Sequence, residues 1–156
     1  MSVLVDLGED RKNIKENVIK LILKYTDDLS AVEKEIAIEG KTLEKANMEQ
    51  ATLQFFYDER RSELYTLTKY MEREVERVRG MLWRKYTENH SRELSPRDKD
   101  QYINNDKQYL DEHEMFLQVE ELYKKYCAVG EAFTSRGYAL RNVTNLRVAS
   151  LENVVL

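Results

Sequence analysis

A chain of 156 residues with 35% charged residues, one proline, five glycines and a net charge of −4 fits one well-solvated helical domain better than a thick globular core. Its single cysteine, Cys127, excludes an internal disulfide and suits a reducing cytosol. No apolar run approaches the roughly 18 residues of a membrane span, and MSVLVDLGED lacks the basic region of a signal peptide.

In chain order, Asp10 is placed to cap a first helix with Ile14, Val18, Leu21, Ile22 and Tyr25 at helical spacing. Thr26-Asp27-Asp28 reads as a break, so this helix falls within residues 1–27. From there a heptad pattern predicts one very long helix over 28–89, inside a segment 28–92. Position a holds Ile36, Leu43, Gln50, Tyr57, Leu64, Met71 and Val78; position d holds Val32, Glu39, Ala46, Leu53, Arg60, Leu67, Glu74 and Met81. Where d fails at Glu74, Val75 and Leu82 carry the stripe at e. Such a helix would be roughly 90 Å long at about 1.5 Å per residue, so it bends at Gly40 or Gly80 or belongs to an elongated assembly. Gln50 and Arg60 interrupt the seam and mark a bend or a polar registration point.

Glu88 to Leu94 is polar. Ser95-Pro96-Arg97-Asp98 then starts a shorter helix, with Ser95 as N-cap, Pro96 at N1 and Asp98 at N3. Asn104-Asn105-Asp106 offers a second break. A helix from Asp106 to Arg136 follows, Gly137 ends or pivots it, and an apolar tail closes the region 95–156 as a C-terminal helical hairpin. The fold class expected is all-α, elongated and self-associating, with Leu140, Val143, Leu146, Leu151 and Val154 as the oligomerisation surface.

Catalytic chemistry has little foothold. There is no Gly-rich phosphate loop, His90 and His113 have no His or Cys at metal-ligand spacing, and the carboxylates do not stand out from a helix surface. The reading is of a protein that is not an enzyme, with no cofactor and no metal. The charge is segmented instead. Residues 73–97 carry seven basic against four acidic side chains, residues 98–121 two against eight, and residues 122–156 five against two. Lys69, Arg73, Arg77 and Arg84 share one helical arc, flanked by Arg79 and Lys85, with Tyr70, Trp83 and Tyr86 nearby. Basic side chains can track phosphates while aromatics stack on bases, the way single strands are held without sequence preference. Glu72, Glu74 and Glu76 interleave with the arginines, so an ordinary solvated face competes. A second basic site, Arg136 and Arg141 around Gly137, could meet an anion or could simply be a helix C-cap.

The stretch from Tyr126-Cys127 through Ser135-Arg136-Gly137-Tyr138-Ala139-Leu140-Arg141-Asn142, followed by Arg147, resembles the C-terminal part of the UvsY family, recombination mediators of T-even-like phages. Val75 to Tyr86 and Asn105-Asp106-Lys107 match it more loosely, and the heptads before Tyr57 have no counterpart in it. The resemblance implies non-specific binding of single-stranded DNA by a ring-like homo-oligomer of about six or seven copies. It also implies contacts to a single-strand-binding protein and to a RecA-like recombinase, which the mediator loads in the host bacterial cytoplasm. The DNA-contacting residues would then be Lys69, Arg73, Arg77, Arg79, Arg84, Lys85, Arg136 and Arg141. The rival expectation is a structural or adaptor coiled coil, such as a phage assembly or scaffolding protein, without DNA contact. The two differ in whether the arc from Lys69 to Lys85 faces open solvent.

Overall fold

The computed structural model describes residues 11–88 and 94–149, with side chains from residue 14. They form α1 (Arg11–Leu29), α2 (Val32–Ile36), α3 (Leu43–Glu88), α4 (Pro96–Asn104) and α5 (Lys107–Val148), with no strand among them. The chain is all-α, as expected. Asp10, Leu151 and Val154 lie outside the described residues.

The long helix begins later than the heptads suggest. α1 runs through Thr26-Asp27-Asp28, because the Thr26 hydroxyl donates to its own helix at Ile22 O (2.7 Å) instead of breaking it. Val32 and Ile36 keep the apolar period but belong to the separate turn-and-a-half of α2. The break falls over 37–42, where Gly40 adopts φ 76°, a left-handed conformation open to glycine at little cost. α3 then spans 46 residues, about 70 Å, and passes through Gly80 without interruption. A Cβ on Gly80 would meet nothing within 4 Å. Gly80→Ala is therefore expected to stabilise the protein by about 0.5–1 kcal/mol, raising the melting temperature by about 1–4 °C in thermal circular dichroism.

The seam of α3 is covered within the chain. α5 runs antiparallel to it, so that Tyr57 stacks on Phe133 (centroids 5.1 Å) and Tyr65 meets Tyr123 (5.8 Å). α1 lies in the groove between them. The Tyr126 hydroxyl donates to Tyr25 O (2.9 Å), and the Tyr25 hydroxyl to Glu63 (2.6 Å). Lys15 bridges to Glu112 (2.6 Å). Leu64, Leu67, Met71, Val119, Tyr126 and Phe133 are almost wholly buried in this three-helix core, each contributing about 1.5–3 kcal/mol of burial. Past Glu74 the buried stripe takes in Val75 and Leu82, as the widened stripe predicts, whereas Met81, expected at d in the seam, is exposed. Gln50 is a polar registration point: its amide donates to Phe133 O (2.7 Å). Arg60 is another, pairing with Glu63 (2.8 Å) and Asp28 (3.4 Å).

The Ser95 cap forms as read: the Asp98 amide donates to its hydroxyl (3.2 Å), which in turn donates to the Asp98 carboxylate (2.7 Å). α4 lies alongside the last turns of α3, closing a small cluster of Val78, Leu82 and Ile103. Asp106 caps α5 through the Gln108 amide (2.9 Å). The expected C-terminal hairpin is not formed, because α5 continues as one 42-residue helix to Val148. Gly137 sits inside it. Its missing Cβ leaves room for Gln50, whose side-chain nitrogen would stand 3.3 Å from that atom. Tight helix packing, rather than a chain end, accounts for the glycine.

Candidate nucleic-acid interface

The basic side chains of α3 do not share one setting: Lys69, Arg73 and Arg84 emerge away from the buried seam, Arg77 stands beside Ile14, Lys15 and Glu112 where α1 and α5 meet α3, and Arg79 and Lys85 face α4 and the start of α5. They differ in what engages them. Lys69 is exposed and paired with Glu72 (2.8 Å) one turn on, which holds its ammonium above the usual lysine range. Arg77 is half-buried, bonded to Glu74 (2.8 Å) and over the Met81 sulfur (3.2 Å). Arg79 pairs with Asp100 of α4 (3.0 Å), whose hydrogen bond raises the guanidinium pKa further. Lys85 reaches Asp106 (3.4 Å). Burial pushes the Asp106 carboxyl up, but hydrogen bonds from the Tyr86 hydroxyl, the Gln108 amide and Lys85 outweigh it and hold the group below the usual carboxylate range. Arg73 and Arg84 are exposed and meet no acid among the described residues. They are eleven residues apart, which returns them to nearly the same helical angle.

The aromatics divide similarly. Tyr70 packs partly buried against the main core. Tyr86 stacks on Tyr102 (5.6 Å) and donates to Asp106 (2.8 Å). Trp83 is 37% exposed, with the Lys99 ammonium 5.5 Å above its ring. Lys99 lies in the acidic segment, and sequence spacing did not associate it with Trp83. Only the fold of α4 back onto α3 brings them together.

The second basic site is not part of this face. Arg136 is 3% exposed, and its guanidinium is used inside the fold: Nε donates to Ile36 O (3.0 Å), and Nη1 to Ala46 O (3.2 Å) and to the Gln50 side chain. Neither a surface contact nor a helix C-cap describes it. A guanidinium so enclosed cannot reach a phosphate while the fold is intact, so the expected DNA contact at Arg136 is corrected to an internal clamp. Arg141 is exposed, against the Tyr138 ring (5.9 Å), and borders an open polar groove lined by Asn47, Gln50 and Gln54. Gln50 and Arg84 are about 50 Å apart along α3, so Arg141 and the α3 arginines are not one site. Leu140, expected on the oligomerisation surface, is 1% exposed and belongs to the internal packing; Val143 and Leu146 remain exposed.

His113 stacks on Tyr109 (5.6 Å), and no group of three metal-ligating side chains occurs among the described residues. No described helix is long and apolar enough to cross a membrane. No family model, no curated protein and no solved structure matches the chain.

Proposed function

We propose that this chain is a non-catalytic mediator of recombination that binds single-stranded DNA as a homo-oligomer and helps load a RecA-like recombinase onto strands coated by single-strand-binding protein. The observation that carries the reading is the pair Arg73 and Arg84, exposed on one face of a long helix and unengaged by acids among the described residues, with the partly exposed Trp83 ring on the adjoining side of the same turns. Two free arginines make a weak, salt-sensitive contact. Repetition in an assembly raises affinity without new chemistry, and Val143 and Leu146, exposed near the end of α5, offer it an apolar surface. The resemblance around Ser135-Arg136-Gly137 supports the same family of activities, although Arg136 itself serves the fold.

A second reading, a helical adaptor without DNA contact, is favoured by the pairs Arg79–Asp100 and Lys85–Asp106, which spend part of the basic arc on the chain's own acidic segment. Titrating a labelled oligonucleotide at rising salt separates the two. Binding at low salt should weaken steadily as salt rises. Arg73→Ala with Arg84→Ala should flatten the log–log slope by about 1.4, roughly 0.7 per lost phosphate contact on a single strand. Absence of binding at low salt, or affinity indifferent to salt, favours the adaptor.

A further inference from the structure

We infer that α4 is an internal stand-in for the strand, a latch that occupies part of the binding face of α3 and is displaced when DNA binds; this rests on the strand-binding reading above. Two features of a nucleic-acid strand have counterparts in α4, and a third side chain covers the remaining aromatic face. Asp100 places a carboxylate on Arg79 (3.0 Å), where a phosphate would sit. Tyr102 lays its ring on Tyr86 (5.6 Å, 27° between planes), where a base would stack. Lys99 covers the face of Trp83 (5.5 Å). Helix and face also agree in register. α4 runs in the same direction as the end of α3, with Arg79 against Asp100 and Lys85 against Asp106, six residues apart on both sides.

The attachment suits exchange. Ile103 is the one side chain of α4 that is buried. The Arg79–Asp100 pair is about two-fifths exposed on both sides, so water and salt reach it, and such pairs are readily traded for another charge. Asp106 is different. It caps α5 and bonds Tyr86, so it stays with α5 and serves as the pivot. Lifting α4 about that point frees Arg79 and the ring faces of Trp83 and Tyr86. That face of α3 would then present one arginine and two aromatic planes within about two turns, with Arg84 round the helix from it.

Asp100→Asn combined with Tyr102→Ala loosens the latch and leaves Ile103 and the Ser95 cap in place. Anisotropy titration of a labelled single-stranded oligonucleotide should show the variant binding about fivefold tighter, the scale of one exposed ion pair, with a log–log salt slope about 0.7 steeper. Glu114→Gln, which removes one exposed negative charge elsewhere, should reproduce neither the full tightening nor the steeper slope. Hydrogen exchange of the wild-type protein supplies a second readout: adding DNA should speed exchange across residues 96–104. A wild type that binds while the variant matches the Glu114→Gln control, or α4 amides that are slowed or unchanged by DNA, overturns the latch and leaves the strand-binding reading standing. No binding by either protein at low salt overturns both.

Discussion

Replacing Arg136 with alanine should cost about 3–5 kcal/mol and lower the melting temperature by about 10 °C. The guanidinium is where three separate parts of the chain are tied. It donates to the terminal carbonyl of α2 at Ile36, to Ala46 in the first turn of α3, and to Gln50 one turn later, and these partners lie 100, 90 and 86 residues away in sequence. Hydrogen bonds to a charged donor are worth more than neutral ones, and this donor is enclosed. Its fork geometry matters as much as its charge. Arg136→Lys keeps the charge but offers a point donor that cannot reach Ile36 O and Ala46 O together, so it too should melt well below wild type. Arg136→Met should fall between wild type and alanine, because it fills the volume and removes the cost of burying Nη2, which has no hydrogen-bond partner among the described residues. Thermal circular dichroism of the three variants checks the order. A lysine variant as stable as wild type would mean that charge, not the fork, is what the position requires.

Arg136 also shows where sequence reasoning stops. Its local surroundings, Ser-Arg-Gly at the end of a periodic stretch, look like a helix terminus, and glycine with a neighbouring arginine is what a C-cap contains. The partners that decide its role come from the other end of the chain, and no local spacing reports them. The same holds for Gly137, which reads as a stop by propensity but is selected by the approach of Gln50 from α3. Features whose causes are local were legible. Ser95, Pro96 and Asp98 form the cap they spell, and the drift of the apolar stripe from d to e past Glu74 follows from a 3.6-residue turn meeting a seven-residue pattern. The start of the long helix lay between these cases. Val32 and Ile36 hold the heptad phase across a real break, since a short helix can keep a buried period that a left-handed glycine then interrupts. In the candidate interface, the basic arc could be read from spacing, but its division into engaged and free members could not. Arg79 is engaged by α4 and Arg73 is not, a difference set by where a nine-residue helix folds back.

Raising the pH a unit or more above 10 should unfold this protein, whereas pH 8–9 should leave it folded. Tyr25, Tyr57 and Tyr126 form a contiguous buried group, with ring centroids 6.0 Å apart for Tyr25–Tyr126 and for Tyr57–Tyr126. The pKa of each phenol is pushed well above the ordinary tyrosine value. Burial is the first cause in all three. The Glu63 carboxylate adds to it at Tyr25, and the Glu35 carboxylate at Tyr57 (2.7 Å), since each accepts the hydroxyl proton and repels a phenolate. At Tyr126 the charges of Asp28 and Glu63 act in the same direction, opposed by Arg60. In the unfolded chain these phenols ionise near 10. The folded chain favours the neutral form, so the stabilisation is fully present below that pH. It is lost as the pH rises toward the folded values, because only the unfolded chain releases the proton. Each retained proton costs up to about 1.4 kcal/mol per pH unit, and three together set an upper limit of about 4 kcal/mol per unit. The contributions of Tyr25 and Tyr57 fall below that limit, since their hydroxyls end at carboxylates that keep some water. Against a typical domain stability of about 5–15 kcal/mol, at least about one pH unit above 10 is needed for a marginal domain and nearly four for the most stable. Tyrosinate absorbance recorded with far-ultraviolet circular dichroism checks this. Of the ten tyrosines, these three should ionise only in step with the loss of helix signal, and Tyr126→Phe should flatten the alkaline limb by about one proton's worth of slope. Smooth titration of all ten with the helix signal intact would show that the hydroxyls reach water in the folded state, and that the Tyr–carboxylate bonds do not hold α1 and α2 against the α3–α5 pair.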